Sequence, residues 1–213
     1  MAVCTKLQFI CRMLAIMVGQ RQQRRRRLYD LAGTQGGYFT AAQAIEIGYP
    51  YQAQKYHADR GNWERIDRGL FRIPEWPVSE HEDLIRWTQW ARGRAVMSHD
   101  TALSVHDLGD VNPARVYVTV APPFRRKAPG VVVHLGDVPD GDAEQREGFR
   151  VTTPLRSLLD VAAGELDLDQ LARALQEALD RGLLTRRMIL ARVDEFGDRA
   201  ALRMERALAR VGV

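Results

Sequence analysis

Five glycines and one proline placed between residues 36 and 73 constrain this chain more than any other feature. The stretch opens with Gly36-Gly37-Tyr38-Phe39-Thr40, where Thr40 is suited to cap an Ala-rich helix running through Ile47. Gly48 can take the left-handed conformation that stops a helix, and Pro50 fits the first turn of the next, where its missing donor costs nothing. Gly61 ends that second helix. Residues 63–66 and 70–73 are then β-compatible runs joined by Asp67-Arg68-Gly69, a hairpin turn with glycine supplying positive φ. The order helix, tight turn, helix, hairpin predicts a helix-turn-helix with a two-stranded wing.

Upstream, residues 24–32 predict the first helix of a trihelical core, with Leu28, Leu31 and Ala32 on one face and Gly33 as its C-cap. Its entry is the basic run Arg21, Arg24, Arg25, Arg26 and Arg27, which has two readings, a solvated face or a phosphate contact. Charge favours the second. Residues 21–77 hold ten Lys or Arg against six Asp or Glu, whereas residues 78–213 hold nineteen against twenty-one. The positive balance therefore lies where a polyanion would dock. The expected contact set is Arg24, Arg25, Arg26, Arg27, Thr40, Tyr51, Gln52, Gln54, Lys55, Arg65, Arg68 and Arg72. Tyr51, Gln52, Gln54 and Lys55 would face the major groove, with the arginines along the backbone. About four phosphate contacts predict a log-log salt slope near −4.

At 213 residues the chain has length for one large or two small domains. Two prolines three apart, Pro74 and Pro77, place a boundary near residue 78. The expected organisation is an N-terminal extension (1–20), a winged helix-turn-helix (21–77) and a second domain (78–213). Cys4 and Cys11 form neither a zinc-type cluster nor a CxxC pair and are read as thiols of a reducing, cytoplasmic compartment. Residues 7–18 are apolar, but Arg12 interrupts them and they fall short of the roughly 20 residues a membrane span needs. They read as a docking helix or as an extension ahead of a start at Met13 or Met17.

From Glu80 onward the pattern changes. A helical stripe of Leu84, Trp87, Thr88 and Ala91 precedes a helix capped by Ser98, and β-like runs follow at 116–120, 131–135 and 149–152. An acidic loop is expected over 137–147, and helical patterns occupy 154–163, 168–183 and 187–196. The fold class expected is therefore α+β: a winged helix-turn-helix, then a mixed α/β domain with a helical C-terminus. Ser98-His99-Asp100 invites a catalytic reading, yet successive helical side chains diverge by about 100°, which argues against convergence on one reacting atom. His99 and His106, two turns apart, are too distant to share a metal, so no metal site is expected. No phosphate-binding glycine loop or kinase signature is present. The basic loop Arg125-Arg126-Lys127 is a solvated turn or a partner contact.

Three stretches carry a resemblance to the AbiEi family of antitoxins from type IV toxin-antitoxin pairs. They are Gly36 to Thr40 with Gly61 and residues 63–73; Ala95-Val96-Met97-Ser98-His99-Asp100-Thr101-Ala102-Leu103; and Val151-Thr152-Thr153-Pro154-Leu155-Arg156-Ser157-Leu158-Leu159-Asp160. The resemblance implies an antitoxin that represses its own operon through the winged helix and neutralises a nucleotidyltransferase-like toxin. Operator DNA and the toxin, without a stable complex, would be its partners, with no cofactor and no membrane. An alternative is that the second domain is an atypical serine kinase that phosphorylates the toxin, with ATP and Mg as cofactors and no catalytic residues assigned. A third possibility is steric cover of the toxin's active site. In one departure from the family pattern, Gln54 and His57 stand where members often carry apolar residues.

Overall fold

A computed structural model describes residues 2–212, with side chains from residue 18 onward. Helix α1 (Ala2–Gly33) begins far upstream of the expected residue 24, because neither proline nor a run of glycines interrupts the sequence before Gly33. Among its described side chains the buried ones are Leu28 and Ala32, four residues apart on one face of the last turns. The side chains of residues 2–17 lie outside the described set.

Strand β1 (Tyr38–Thr40) leads into α2 (Ala41–Ile47), which starts with a full capping box. The Thr40 hydroxyl accepts from the Gln43 amide at 3.3 Å, and the Gln43 side chain accepts from the Thr40 amide at 2.8 Å. Gly48, at φ 106, ends α2, and its amide closes onto Ala44 and Ile45 carbonyls. Helix α3 (Tyr51–Asp59) follows after Pro50. Strands β2 (Glu64–Asp67) and β3 (Leu70–Arg72) form the wing, and β1 pairs on the other side of β3, giving an antiparallel sheet ordered β1-β3-β2. Arg65 and Asp67 flank a register shift that bends the wing.

The core beneath these elements is aromatic. Phe39, fully buried, meets Trp63 edge-on at 4.9 Å and stacks on Phe71 at 5.7 Å. Trp76 closes the base: a Cβ on Gly37, which sits at φ +85, would meet the Trp76 Cβ at 2.5 Å. Arg72 then reaches Glu82 across 2.8 Å and donates to the Trp76 carbonyl at 2.8 Å, which ties the segment to residue 82 onto the first unit, residues 1–82.

The second unit, residues 83–213, contains a five-stranded mixed sheet ordered β6-β5-β4-β8-β7. Its elements in chain order are α4 (Glu82–Trp90), β4 (Val96–Met97), α5 (His99–Val105), β5 (Val116–Val120), β6 (Val131–Leu135), β7 (Ala143–Arg146) and β8 (Phe149–Thr152). Strands β5 and β6 run parallel, as do β4 and β8, while β4–β5 and β7–β8 are antiparallel. Helices α6 (Pro154–Ala163), α7 (Leu168–Asp180), α8 (Arg186–Leu190) and α9 (Asp198–Val211) follow. Their shared core includes Leu158, Leu159, Leu171 and Leu175, each essentially inaccessible and each contributing about 1.5–3 kcal/mol by burial. The α+β architecture is the one expected.

Strand β7 departs from the sequence reading: the acidic stretch contains it because Ala143 to Arg146 pair residue for residue with Thr152 to Phe149. The expected helical C-terminus ends in α9, whose Ala200, Met204, Ala207 and Leu208 recur at helical spacing and are buried.

Candidate nucleic-acid interface

Helix α3 divides cleanly into two faces. Its outer face carries Tyr51, 71% exposed, with Gln52, Lys55 and Tyr56 also exposed. Its inner face carries Gln54, only 2% exposed, whose amide donates to the Ala41 carbonyl at 3.0 Å and the Tyr49 carbonyl at 2.9 Å. Gln54 therefore clamps the turn between the two helices and is removed from the expected contact set. His57 is half-buried and stacks on Trp63 at 4.7 Å, with burial lowering its pKa. Gln54 and His57 thus both occupy inward positions on α3.

Lys55 lies 2.8 Å from Asp59, both well exposed. Such a surface pair is worth about 0–1 kcal/mol, so a phosphate can displace Asp59 at little cost. At the wing, Arg68 stands exposed at the tip and Arg65 on the outer face of β2. Arg72, expected on the backbone, is 7% exposed and engaged with Glu82 and Trp76, so it too leaves the contact set. Thr40 is occupied by its capping box.

The basic run on α1 also sorts by face. Arg24, one turn before buried Leu28, folds inward: it is half-buried, donates to the Gly48 carbonyl at 3.0 Å and lies over the Tyr49 ring at 6.0 Å. It braces the helix-turn-helix. Arg25, Arg26 and Arg27 are exposed, with Arg25 over the Tyr29 ring at 5.3 Å. Of the expected contact set, the cations left for a polyanion are Arg25, Arg26, Arg27, Lys55, Arg65 and Arg68, beside the polar and aromatic outer face of α3.

In the second unit, Ser98 and His99 do meet, at 3.0 Å between Oγ and Nδ1. The argument from helical divergence does not apply to them, because Ser98 is extended and His99 sits at φ 52. Ser98 is nevertheless fully buried and accepts from Thr119 Oγ1 at 2.8 Å, closed to a substrate. The His99 ring stacks on His134 at 3.7 Å, and burial, His134 and Arg156 lower its pKa to about 3. His106 donates through Nε2 to the Thr152 carbonyl at 2.7 Å.

An ionic cluster joins Asp142, Arg156, Asp160 and Arg192. The Arg192 and Arg156 bonds hold the Asp142 carboxyl below its usual range, whereas burial pushes Asp160 up to about 6 and leaves its Oδ2 without a partner. Sequence reasoning missed this cluster, since its members come from three separate segments, with Arg156 and Asp160 together on α6.

In the basic loop, Arg126 covers the Trp90 ring at 4.9 Å and donates to the Trp90 carbonyl, while Arg125 and Lys127 are exposed. A groove of about 650 Å³ lies along α8 and α9, with Leu190 and Leu202 exposed on its walls and Arg186, Asp194, Asp198 and Glu205 beside them. Among the described residues, no group of three or more His, Cys, Asp or Glu gathers as for a metal, and no helix is long and apolar enough to cross a membrane.

The chain resembles in fold the RV2827C protein from Mycobacterium tuberculosis, with a TM-score of 0.58 at 15% identity, over 90% of this chain and 78% of that one. No curated protein matches it. Residues 26–74, from the last turns of α1 to just past the wing, match the family described as transcriptional regulator, AbiEi antitoxin. This stretch, which holds the outer face of α3 and the wing-tip arginine on one aromatic core, is the part of the chain that is similar to that family of transcriptional regulators.

Proposed function

We propose that the protein is an antitoxin that represses its own operon through the winged helix and neutralises a nucleotidyltransferase-like toxin through its second unit. The observation that carries the first half is the segregation of α3: scaffolding side chains face inward, and Tyr51, Gln52, Lys55 and Tyr56 face out. In this reading α3 enters the major groove, Gln52 reads a base edge, and Lys55, Arg65 and Arg68 contact phosphates. Arg25, Arg26 and Arg27 extend the backbone contact. Support for the second half is the α8–α9 groove, whose exposed leucines suit a protein partner.

A cell carrying an operator–reporter fusion and an inducible cognate toxin separates the two activities. Lys55→Ala with Arg68→Ala releases the reporter while protection from the toxin persists. Leu190→Glu with Leu202→Glu keeps the reporter repressed and loses protection. Full repression by the Lys55/Arg68 double variant contradicts the DNA half, and full protection by the leucine double variant contradicts the assignment of the groove.

A further inference from the structure

The five-stranded sheet ends in two very different edges. Strand β7 carries Glu144 and Arg146, which pair with each other at 2.7 Å, the kind of charged edge that resists further pairing. Strand β6 reads Val131-Val132-Val133-His134-Leu135 and has no lysine, carboxylate, proline or register shift. Its Leu135 is 62% exposed.

The hydrogen-bond alternation of the β5–β6 ladder fixes which groups face outward. Val116 donates to the Gly130 carbonyl at 3.0 Å and Gly136 donates to the Val120 carbonyl at 3.2 Å. In a parallel pair this directs Val132 and His134 towards β5 and turns the amides and carbonyls of Val133 and Leu135 away from it. Among the described residues, no backbone or side-chain group bonds to those four outward groups.

We propose that β6 pairs antiparallel with β6 of a second copy, which joins two sheets across a two-fold axis. Such a contact is isologous, so the edge must complement itself. Pairing about Val133 sets that residue opposite the partner's Val133 and Val131 opposite the partner's Leu135, all apolar on that face, while on the other face each Val132 lies opposite the partner's His134. The flanks are complementary as well. Arg125 and Lys127, both exposed, precede β6, while the exposed Asp137 follows it directly. The two-fold brings the basic flank of each strand beside the acidic flank of the other. A like-charged or foreign strand gains no such match. Two linked copies would also carry two winged helices, which suits the paired half-sites that such domains bind.

The test is sedimentation velocity of the full chain across a concentration series, compared with Val133→Pro and Leu135→Lys. The proline removes only an outward N–H, and Leu135→Lys provides a second variant at an exposed position that leaves the β5 ladder untouched. The wild type should reach twice the 24.1 kDa chain mass. Each variant should dissociate at least about tenfold more readily, while far-UV circular dichroism is unchanged and the outward amides that remain, at residue 135 in the proline variant and at 133 and 135 in the lysine variant, lose their exchange protection. A wild type that stays monomeric at its highest soluble concentration overturns the proposal, as does a dimer that persists in both variants. Neither result bears on binding of the winged helix to DNA.

Discussion

Gln54→Leu separates a scaffolding residue from a reading residue on the same helix. In the wild type the Gln54 amide satisfies the Ala41 and Tyr49 carbonyls from a position 2% exposed. Leucine keeps most of the volume but removes both donors. Each bond is worth about 0.5–1.5 kcal/mol net, and leaving a buried carbonyl without a partner raises the loss to about 1–3 kcal/mol. Partial relaxation around the Tyr49 turn limits the sum, so a loss of about 2–4 kcal/mol is expected for the first unit. For a unit of this size about 1 kcal/mol moves Tm by roughly 4–8 °C, giving a drop of roughly 8–32 °C. Hydrogen exchange with peptide resolution reads this directly, as lost protection across α2 and α3 with the second unit unchanged. Under conditions where the variant is folded, its operator affinity should stay within about twofold of wild type, whereas Gln52→Ala should weaken binding without changing stability. A stable Gln54→Leu protein with strongly reduced operator affinity would refute the reasoning and return Gln54 to the groove.

Gly37→Ala should destabilise the first unit by about 2 kcal/mol or more, because the new Cβ meets Trp76 at 2.5 Å on a backbone at φ +85; thermal unfolding checks this, and an unchanged Tm contradicts it. The His99 pKa lies at about 3 in the folded protein against 6.5 unfolded, so its stabilising contribution is complete above pH 6.5 and is lost as pH falls towards 3. That contribution is at most about 5 kcal/mol, and denaturant titrations of His99→Asn should show a flatter acid limb than wild type; identical limbs would contradict the assignment. Asp160 acts in the opposite sense: its raised pKa favours the fold below pH 3.8, and the benefit fades as pH rises through about 6. Lys55→Ala with Arg68→Ala should flatten the salt slope of operator binding by about 2, measured by fluorescence anisotropy, and an unchanged slope would remove both from the phosphate contacts.

The winged helix was legible because its signals are local. Thr40, Gly48, Pro50 and Gly61 each act within one turn of their own position, and the aromatic residues that fill the core recur where the hairpin must pack. What sequence could not sort was the facing of its polar residues. Arg24 and Arg27 read alike, yet Arg24 falls one turn before Leu28 and is drawn inward. Gln54 read as a base contact because glutamine is usually exposed. Its inward position follows from its bonds to the Ala41 and Tyr49 carbonyls, which only the folded turn brings within reach. Arg72 was misplaced for a different reason: its partner Glu82 lies beyond two prolines, a distance that no local pattern spans. In the second unit, the strands and helices with strong periodicity were visible. Strand β7 was not, because its Glu144, Gln145 and Arg146 look like loop, and only pairing with β8 makes them a strand. The Asp142–Arg156–Asp160–Arg192 cluster is likewise a product of tertiary structure.

The central claim is that the outer face of α3, the wing and the arginines of α1 bind operator DNA. Equilibrium binding of the full chain to its own upstream duplex and to a scrambled duplex, at several salt concentrations, tests it most directly. The account predicts preference for the upstream sequence and a log-log salt slope of about −4 to −5, as expected for four to six phosphate contacts. Equal affinity for both duplexes, or binding indifferent to salt, would contradict it.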